Sequence, residues 1–263
     1  MKKPLRLAMW SGPRNISTAM MRAWENRGDC VVVDEPLYAH YLANTGLEHP
    51  GREAVIAAGE TDWRKVAAWL TGPVPDGKAI WYQKHMTHHL LPHIARDWLG
   101  RLTHVFLIRD PREVVVSYVK SRPSVTAADI GVLQQLEIFQ YVRELSGETP
   151  PVIDAGEFLK TPEAQLRALC TTLGVAFSTR MLSWPPGPRA SDGVWAPYWY
   201  EAVQRSTSFE PYREHDTQVP GEFQGIVATV MPAFEELFAH RLVPQDAGNW
   251  LSNTPTSGDG QCS

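Results

Sequence analysis

Short, continuously apolar segments alternate along this chain with segments whose apolar residues recur every three or four positions. The short segments predict buried strands, and the periodic segments predict helices. The predicted strands cover residues 5–9, 30–33, 79–84, 105–108 and 151–154. The clearest predicted helices cover residues 62–70, 129–145, 162–173 and 220–240. Because strands alternate with helices, we expect a three-layer α/β sandwich with a mainly parallel central sheet, right-handed crossovers and a ligand site at the carboxyl edge of the strands.

Composition and charge narrow the class of protein. With 263 residues, of which 43% are hydrophobic, the chain can bury the core of one large domain, which we place at residues 1–243. Residues 244–263 are rich in Gly, Ser, Thr, Asn and Asp and predict a disordered tail. The net charge of −4 argues against a general nucleic-acid binder, because such proteins carry an excess of basic residues.

The cysteines and the hydropathy indicate the cellular compartment of the protein. Cys30, Cys170 and Cys262 lack the paired spacing of a disulfide framework or a zinc site, which favours a reducing environment. No apolar run approaches the length of a membrane span. We therefore expect a cytoplasmic protein without a membrane segment.

A loop rich in helix-opening residues follows the first predicted strand. Ser11, Gly12 and Pro13 end the strand, and the next helix begins near Ser17. The first N–H groups of a helix have no partner inside the helix, and the helix dipole adds partial positive charge there. The loop therefore predicts an anion site with phosphate as its natural ligand, although an ordinary N-cap would also explain it. We assign Gly12, Pro13, Arg14, Asn15, Ser17 and Thr18 to this site.

This loop differs from the standard nucleotide loop, G-x-x-x-x-G-K-[ST]. Counted from Gly12, the second Gly, the Lys and the Ser/Thr are replaced by Ser17, Thr18 and Ala19. No Lys is therefore placed to reach a γ-phosphate, and the cation that the loop carries is Arg14.

A second motif follows the fourth predicted strand. Arg109 ends the strand, Asp110 suits an N-cap, Pro111 suits the first helical turn, and Glu113 completes a capping pattern. Ser117 then lies roughly 10 Å along the helix, by the rise of about 1.5 Å per residue. Arg109 and Ser117 could thus bracket an anion beside this helix; the structural alternative is an ion-paired Arg and an ordinary helical Ser.

Together the two motifs resemble those of the sulfotransferases. In that family the first loop usually has the sequence Pro-Lys-Ser-Gly-Thr-Thr, and residues 13–18 occupy the same frame, with Arg14 in place of the Lys and Ile16 in place of the Gly. A strand-end Arg and a helical Ser form the family's 3′-phosphate motif, which Arg109 and Ser117 match in identity and spacing. The resemblance covers about residues 5–120 and implies a P-loop NTPase-like fold.

The resemblance also implies a reaction, namely transfer of a sulfuryl group from 3′-phosphoadenosine 5′-phosphosulfate (PAPS) to a hydroxyl or amine of a small-molecule acceptor. Ser17, Thr18 and the loop amides would hold the 5′-phosphate, and Arg14 would neutralise charge on this leaving phosphate. Arg109 and Ser117 would hold the 3′-phosphate. The implied reaction requires no metal.

Four histidines follow the third predicted strand. A metal site would use His89 and His93, but an intervening Glu and a third ligand are missing. Structural roles would suit several of these residues. In the family that the chain resembles, a His close to a strand-end Lys removes the acceptor's proton, usually within Lys-x-His. The spacing after Lys84 differs here, so His85, His88 and His89 are all candidate bases.

The late part of the chain departs from the family pattern. The family's Arg-Lys-Gly tripeptide, which completes the nucleotide site, is absent, and Arg189, Arg205 or Arg213 would have to replace it. Residues 184–200 are dense in Trp, Tyr and Pro. This segment would either lie over the mouth of the site or plug an edge of the core.

Other functions are compatible with these patterns. A P-loop phosphotransferase or NTP hydrolase would need Asp34 or Asp110 to hold Mg²⁺, and the missing Lys argues against it. A non-catalytic binder of nucleotide or sulfated ligand would keep affinity without turnover. A pyridoxal-phosphate enzyme would use Lys84 as its Schiff-base residue, although no spacing supports this. Asp34 and Glu35, which follow the second strand, would either contact a polar group of the substrate or only end the strand.

Overall fold

The computed structural model of the protein describes residues 3–120, 124–214 and 217–244. In these residues five strands form one sheet in which every neighbouring pair is parallel. They are β1 (Leu5–Ser11), β2 (Cys30–Asp34), β3 (Ile80–Met86), β4 (Thr103–Ile108) and β5 (Val152–Asp154), in the order β2-β3-β1-β4-β5. The predicted α/β fold with a parallel sheet is confirmed, whereas the predicted tail lies, from residue 245 onwards, outside the described residues.

Helices cover the sheet on both sides. Those in the described residues are α1 (Ser17–Glu25), α2 (Tyr38–Thr45), α3 (Arg52–Ala58), α4 (Trp63–Leu70), α5 (Pro111–Val119), α6 (Ala127–Ile130), α7 (Val132–Ser146), α8 (Ala155–Lys160), α9 (Pro162–Thr172), α10 (Ala196–Trp199), α11 (Glu201–Arg205) and α12 (Gln224–Ala239). In this part of the chain, no helix has both the length and the apolar character that a membrane span needs.

Residues of each strand alternate between the two faces of the sheet, and each face has its own apolar core. In β1, Leu7 and Met9 belong to one core, and Ala8 and Trp10 belong to the other. The first core is completed by α1, α8 and α9, and the second by α4, α5, α7 and α12. Because a parallel sheet is stable when both faces are covered, the result is the three-layer sandwich expected from the sequence.

Two local features differ from the sequence prediction. The helix predicted at residues 129–145 is divided into α6 and α7 by Gly131, whose φ of 78° lies in the left-handed region that favours glycine. A Cβ there would lie 3.0 Å from Thr87 Oγ1 and 3.4 Å from Pro13 Cδ, so the glycine also lets the first loop pack closely. In addition, β3 continues past its predicted end to Met86, which places His85 inside the strand.

Candidate active site

The loop between β1 and α1 lies at the carboxyl edge of the sheet, where the sequence predicts an anion site. The first backbone hydrogen bond of α1 runs from the Met20 N–H to the Ile16 carbonyl at 2.9 Å, so the N–H groups of residues 17–19 have no acceptor inside the helix. Asn15 fixes the turn: its Oδ1 accepts from the Ile16 N–H at 2.8 Å, and its Nδ2 donates to the Leu107 carbonyl at 3.1 Å. The helix entrance therefore presents N–H donors and partial positive charge on a loop tied to β4.

Arg14 joins this loop to the second predicted motif. Its φ of 56° lies in the left-handed region that residues other than glycine rarely adopt. Its Nε donates to Ser117 Oγ at 2.9 Å, and its carbonyl accepts from Arg109 Nη1 at 2.6 Å. Arg109 Nε also donates to Glu113 Oε2 at 2.8 Å, so Glu113 pairs with this arginine and does not supply the predicted capping contact. Two guanidinium groups and one carboxylate thus lie together beside the loop.

Arg14, Arg109 and Ser117, which we call the arginine cluster, form one continuous group of donors. The sequence prediction placed Arg14 at one phosphate of a cofactor and Arg109 with Ser117 at the other. The structure instead bonds the side chains of Arg14 and Ser117 to each other, because α5 begins beside the loop and presents Ser117 to it. The residues predicted to hold the two phosphates are therefore direct neighbours in the structure.

Gly12 serves the packing of the loop. It is buried, and a Cβ at this position would lie 2.8 Å from the Ile130 carbonyl oxygen, closer than such atoms approach in proteins. The other predicted residues of the loop line a cavity beside it, namely Pro13, Arg14, Asn15, Ser17 and Thr18. We therefore assign Gly12 a steric role, and its contact with the anion stays a prediction.

Replacing Gly12 with alanine should displace the loop. The added methyl group has to move the Ile130 backbone, and overpacking of this kind costs about 1–3 kcal/mol. We expect the free energy of unfolding in chemical denaturation to fall by about this amount. The matched control is Gly221→Ala, because nothing lies within 4 Å of a Cβ there. Equal stability of the two variants would contradict the steric role of Gly12.

A cavity of about 200 Å³ opens beside the loop. Apart from the loop, its wall consists of charged, histidine, aromatic and methionine side chains, namely Glu35, Lys84, His49, His88, His89, Tyr38, Tyr118, Trp199, Tyr200 and Met86. Arg109 and Ser117 are connected to this cavity through their bonds to Arg14. The site thus combines the loop predicted to bind an anion with a wall that carries both acidic and basic groups.

Lys84, near the end of β3, is the centre of a buried polar network. The register of β2 and β3 aligns it with Asp34, and its ammonium donates to Asp34 Oδ1 at 2.8 Å, to Glu35 Oε1 at 2.6 Å and to the Tyr200 hydroxyl at 2.7 Å. Burial by itself would lower the pKa of Lys84, but attraction to Asp34 and Glu35 outweighs it and holds the pKa well above its usual value. Lys84 is therefore a permanent cation in the cavity wall.

Glu35 supplies the carboxylate of this cavity. It follows β2 with a φ of 40°, and its N–H donates to the Lys84 carbonyl at 2.9 Å, so the same residue fixes its backbone and its side chain. Burial raises the pKa of Glu35 above its usual value, against the opposing attraction of Lys84. Its Oε2 lies 3.9 Å from His89 Nδ1, which is beyond hydrogen-bond distance. From the sequence, Glu35 is only one of two possible substrate contacts, because the residues that bury it come from distant parts of the chain.

His85 does not belong to the cavity, contrary to its assignment as a candidate base. Successive residues of a strand point to opposite faces, so Lys84 and Met86 face the cavity and His85 faces the core on the other side. There it stacks on Trp10 at a centroid distance of 4.4 Å and is 1% exposed. Burial, with a smaller contribution from His104, lowers its pKa to about 3. The prediction that His85 can take the acceptor's proton was therefore wrong.

The two core histidines make the fold sensitive to acid. Burial lowers the pKa of His85 to about 3 and that of His104 to about 4, from the usual 6.5. Between pH 4 and 6.5 the unfolded chain therefore binds more protons than the folded protein. The stability that this difference contributes is complete above pH 6.5 and is lost as the pH falls.

We expect each of these histidines to add a slope of about 1.4 kcal/mol per pH unit to the free energy of unfolding in this window. Urea unfolding of the protein and of a His85→Phe variant, which keeps a ring against Trp10, measures the share of His85. The slope of the variant should be shallower by about 1.4 kcal/mol per pH unit near pH 5. An unchanged slope would show that His85 is not held neutral in the fold.

His88 and His89 do lie in the cavity wall. His89 is buried and stacks on Tyr38 at a centroid distance of 4.6 Å. Burial, reinforced by the nearby His88, holds the pKa of His89 well below its usual value, so this imidazole is neutral. His88 is partly exposed, and its ring meets those of Tyr41 and His89 edge-on.

The metal interpretation of the histidines finds no support among the described residues. His93 Nε2 lies 3.0 Å from His40 Nε2, so His93 pairs with α2 rather than with His89. No group of three His, Cys, Asp or Glu side chains in the described ranges is placed to hold a metal ion.

The late aromatic segment reaches the site. Trp199 and Tyr200 line the cavity, and Trp195 meets the Tyr38 ring edge-on at a centroid distance of 5.0 Å. The structure shows both positions expected for this segment, because Trp199 and Tyr200 lie beside the site while Trp184 and Trp195 are buried in apolar cores.

Two of the three late arginines that could replace the missing tripeptide lie elsewhere. Arg189 pairs with Glu25 in the last turn of α1, and Arg205 pairs with Glu201 on the surface. Neither joins the arginine cluster, so Arg213 stays the predicted candidate.

Comparisons with known proteins show the family to which the chain belongs. A family model described as "Sulfotransferase domain" matches residues 5–240. The chain is 33% identical over 240 residues to branched-chain-amino-acid aminotransferase-like protein 1 of Arabidopsis thaliana; the match covers 91% of this chain and 43% of that protein. The chain thus spans less than half the length of this relative.

Solved structures share the fold at low sequence identity. A sulfotransferase from Alicyclobacillus acidocaldarius superposes with a TM-score of 0.54 at 13% identity, covering 92% of this chain and 98% of that one. The sulfotransferase domain of the Synechococcus PCC 7002 olefin synthase superposes with a TM-score of 0.52 at 14% identity, covering 89% and 94%. Since the family model matches most of its length, the chain belongs to the sulfotransferase family.

Proposed function

We propose that this protein transfers a sulfuryl group from PAPS to a hydroxyl or amine of a small-molecule acceptor. The observation that supports this most is the arginine cluster at the entrance of α1, joined through Arg14 to a cavity that contains the Glu35 carboxylate. Membership of the sulfotransferase family makes a sulfate donor the first ligand to consider. A cavity of about 200 Å³ suits the reacting end of a small acceptor.

The residues around the first loop fit the phosphate groups of PAPS. Arg14 and Arg109 supply two cations against one carboxylate partner, so the arginine cluster keeps a net positive charge. Ser17, Thr18 and the first N–H groups of α1 would hold the 5′-phosphate, and Arg109 with Ser117 would hold the 3′-phosphate. When bound, PAPS supplies a sulfuryl group on a phosphate leaving group.

Arg14 is suited to stabilise negative charge that develops at the loop. Arg14 is exposed, and its guanidinium donates to Ser117. This bond uses only one of the five N–H groups of the guanidinium. Positive charge that is already in place where negative charge develops is usually the largest contribution to catalysis of group transfer. We therefore assign to Arg14 the neutralisation of charge on the leaving phosphate.

The acceptor's proton needs a base in the cavity wall, where Glu35, His88 and His89 are the candidates. His89 is a weak base, because its pKa lies well below the usual value. Glu35 has a raised pKa, which brings a carboxylate closer to the working pH and makes it a stronger base. We propose that the proton passes from the acceptor to Glu35 and that His88 shapes the wall beside it.

A phosphotransferase or hydrolase that uses ATP or GTP is disfavoured by the two carboxylates that would hold Mg²⁺. Asp34 already accepts hydrogen bonds from Lys84 and Tyr200. Asp110 caps α5 and pairs with Arg112. Neither carboxylate keeps the open coordination that Mg²⁺ requires.

The name of the Arabidopsis relative raises aminotransferase activity as a second candidate. That chemistry needs a lysine that becomes neutral to form a Schiff base with pyridoxal phosphate. Lys84 is the predicted candidate, but its pKa is raised, and Asp34, Glu35 and Tyr200 each accept one of its hydrogen bonds. We therefore do not assign this activity to the chain.

Incubation of the purified protein with PAPS and a panel of alcohols, phenols and amines tests the proposal. Sulfuryl transfer predicts release of 3′-phosphoadenosine 5′-phosphate (PAP) that depends on an acceptor, with an equal amount of sulfated product in mass spectrometry. Tight binding of PAP without product from any acceptor would support a non-catalytic binder instead. Release of phosphate from ATP with Mg²⁺ would support a phosphotransferase or hydrolase.

A further inference from the structure

We infer that Tyr200 is a positioning residue for the proposed reaction: its phenol holds the Lys84 ammonium in the place where Lys84 fixes one oxygen of Glu35. The inference rests on the proposed function, because it concerns the residue that we propose as base. Tyr200 lies in the late aromatic segment, far in sequence from β2 and β3, which carry its partners.

The hydrogen bonds of Lys84 account for all of its donors. An ammonium has three N–H groups, and the acceptors are Asp34 Oδ1 at 2.8 Å, Glu35 Oε1 at 2.6 Å and the Tyr200 hydroxyl at 2.7 Å. The Lys84 side chain is 1% exposed. In this arrangement Lys84 has no N–H left for a ligand, so it acts on the site through Glu35.

The phenol of Tyr200 is also fully used. A phenolic oxygen donates one hydrogen bond and can accept two. It donates to Asp34 Oδ2 at 2.6 Å and accepts from Lys84 and from Trp195 Nε1, the latter at 3.2 Å. The Gly193 N–H donates to the same Asp34 oxygen at 3.2 Å. The late segment therefore contacts the Asp34–Lys84 pair through both the Tyr200 hydroxyl and the Gly193 N–H.

Tyr200 decides how Lys84 is shared between two carboxylates. Asp34 and Lys84 are neighbours in the register of β2 and β3, so this pair forms without help from the late segment. By donating to Asp34 Oδ2 and accepting from Lys84, the phenol keeps the third N–H of the ammonium directed to Glu35. Without the phenol, the ammonium would turn towards both oxygens of Asp34 and its bond to Glu35 would weaken.

The charged and titratable groups around Glu35 set the direction of the expected effect. They are Asp34 beside it, Lys84 and Tyr200 in the network, His49, His88 and His89 in the cavity wall, and Arg14 at the loop. Burial already raises the pKa of Glu35, and Lys84 is the group that opposes this. Loss of the Lys84 bond should therefore raise the pKa of Glu35 further.

Replacing Tyr200 with phenylalanine tests this role, with Tyr198→Phe as the matched control, since Tyr198 is 53% exposed. Titration of ¹³C-labelled glutamate carboxyls by NMR, with Glu35→Gln used for assignment, should show the Glu35 pKa rising by about one unit in Y200F and unchanged in Y198F. In assays, kcat of Y200F should fall by about 10-fold to 100-fold at constant KM for PAPS, with the acidic limb of its pH profile moved upwards. An unchanged Glu35 pKa in Y200F would overturn the inference.

If Y200F does not fold, a second variant tests whether Asp34 and Glu35 compete for Lys84. Asp34→Asn removes both the charge that helps to raise the Glu35 pKa and the carboxylate that competes for Lys84, so the Glu35 pKa should fall. A rise or no change would overturn the competition on which the role of Tyr200 depends. Because the NMR titration needs no turnover, it is informative even if no acceptor is sulfated, an outcome that would contradict the proposed function instead.

Discussion

Replacing Arg14 with alanine should lower kcat by about 100-fold to 1,000-fold, the range found when one preorganised donor is removed from a site of developing charge. The guanidinium is the exposed cation of the first loop and reaches Ser117 across the arginine cluster. Its removal leaves the leaving phosphate without the cation that we assign to it. The rate is measured under saturating PAPS with an acceptor found in the screen, and Arg205→Ala serves as a control, because Arg205 pairs only with Glu201 on the surface among the described residues.

Arg109→Ala should behave differently from Arg14→Ala. Arg109 donates to the Arg14 carbonyl and to Glu113, so we expect it to contribute to binding of the 3′-phosphate rather than to the transfer step. The dissociation constant for PAP should rise by about tenfold or more, while kcat at saturation changes little. Equal activity of the two alanine variants would refute this division of roles.

Replacing Glu35 with glutamine should lower kcat by about 100-fold to 10,000-fold, the usual contribution of a general base. Glutamine has nearly the same shape but cannot accept the acceptor's proton, and it leaves Lys84 paired with Asp34. Affinity for PAP should be unchanged, because Glu35 is not part of the arginine cluster. Thermal unfolding should confirm that the variant is folded.

Comparison of His88→Gln with Glu35→Gln shows whether the base is a glutamate or a histidine. We expect kcat of this variant to stay within about tenfold of the wild type, since His88 only borders the cavity in the proposed mechanism. If H88Q lost the activity and E35Q kept it, the base would be a histidine, as the family resemblance implied.

The overall fold could be predicted because each buried strand of a parallel sheet is a nearly continuous apolar run, and the helices between them carry periodic apolar residues. The apolar pattern gave the wrong end for a strand where polar residues are buried. β3 was predicted to end at Lys84, since His85 and Met86 follow a charged residue, yet the strand continues because Asp34 and Tyr200 satisfy the Lys84 ammonium. Hydrogen-bond partners that come from a neighbouring strand or a late segment leave no signal in the sequence around the buried residue.

The candidate site was only partly accessible from the sequence. The two motifs located Arg14 and Ser117, but the bond between their side chains depends on the packing of α5 against the loop, which spacing does not reveal. The alternation of side chains in β3 removes His85 from the site, and this could have been inferred only with the correct end of the strand. Glu35 was one of two possible substrate contacts, because its burial arises from residues of other elements.

Isothermal titration calorimetry with PAP, with 5′-AMP and with ATP plus Mg²⁺ tests the central claim, that the arginine cluster and the first loop bind an adenosine with phosphates on both its 3′ and 5′ positions. We predict that PAP binds at least about tenfold more tightly than either other nucleotide, and that Arg109→Ala removes the difference between PAP and 5′-AMP. Binding of ATP with Mg²⁺ as tight as that of PAP, or equal affinity for PAP and 5′-AMP in the unmodified protein, would contradict the account.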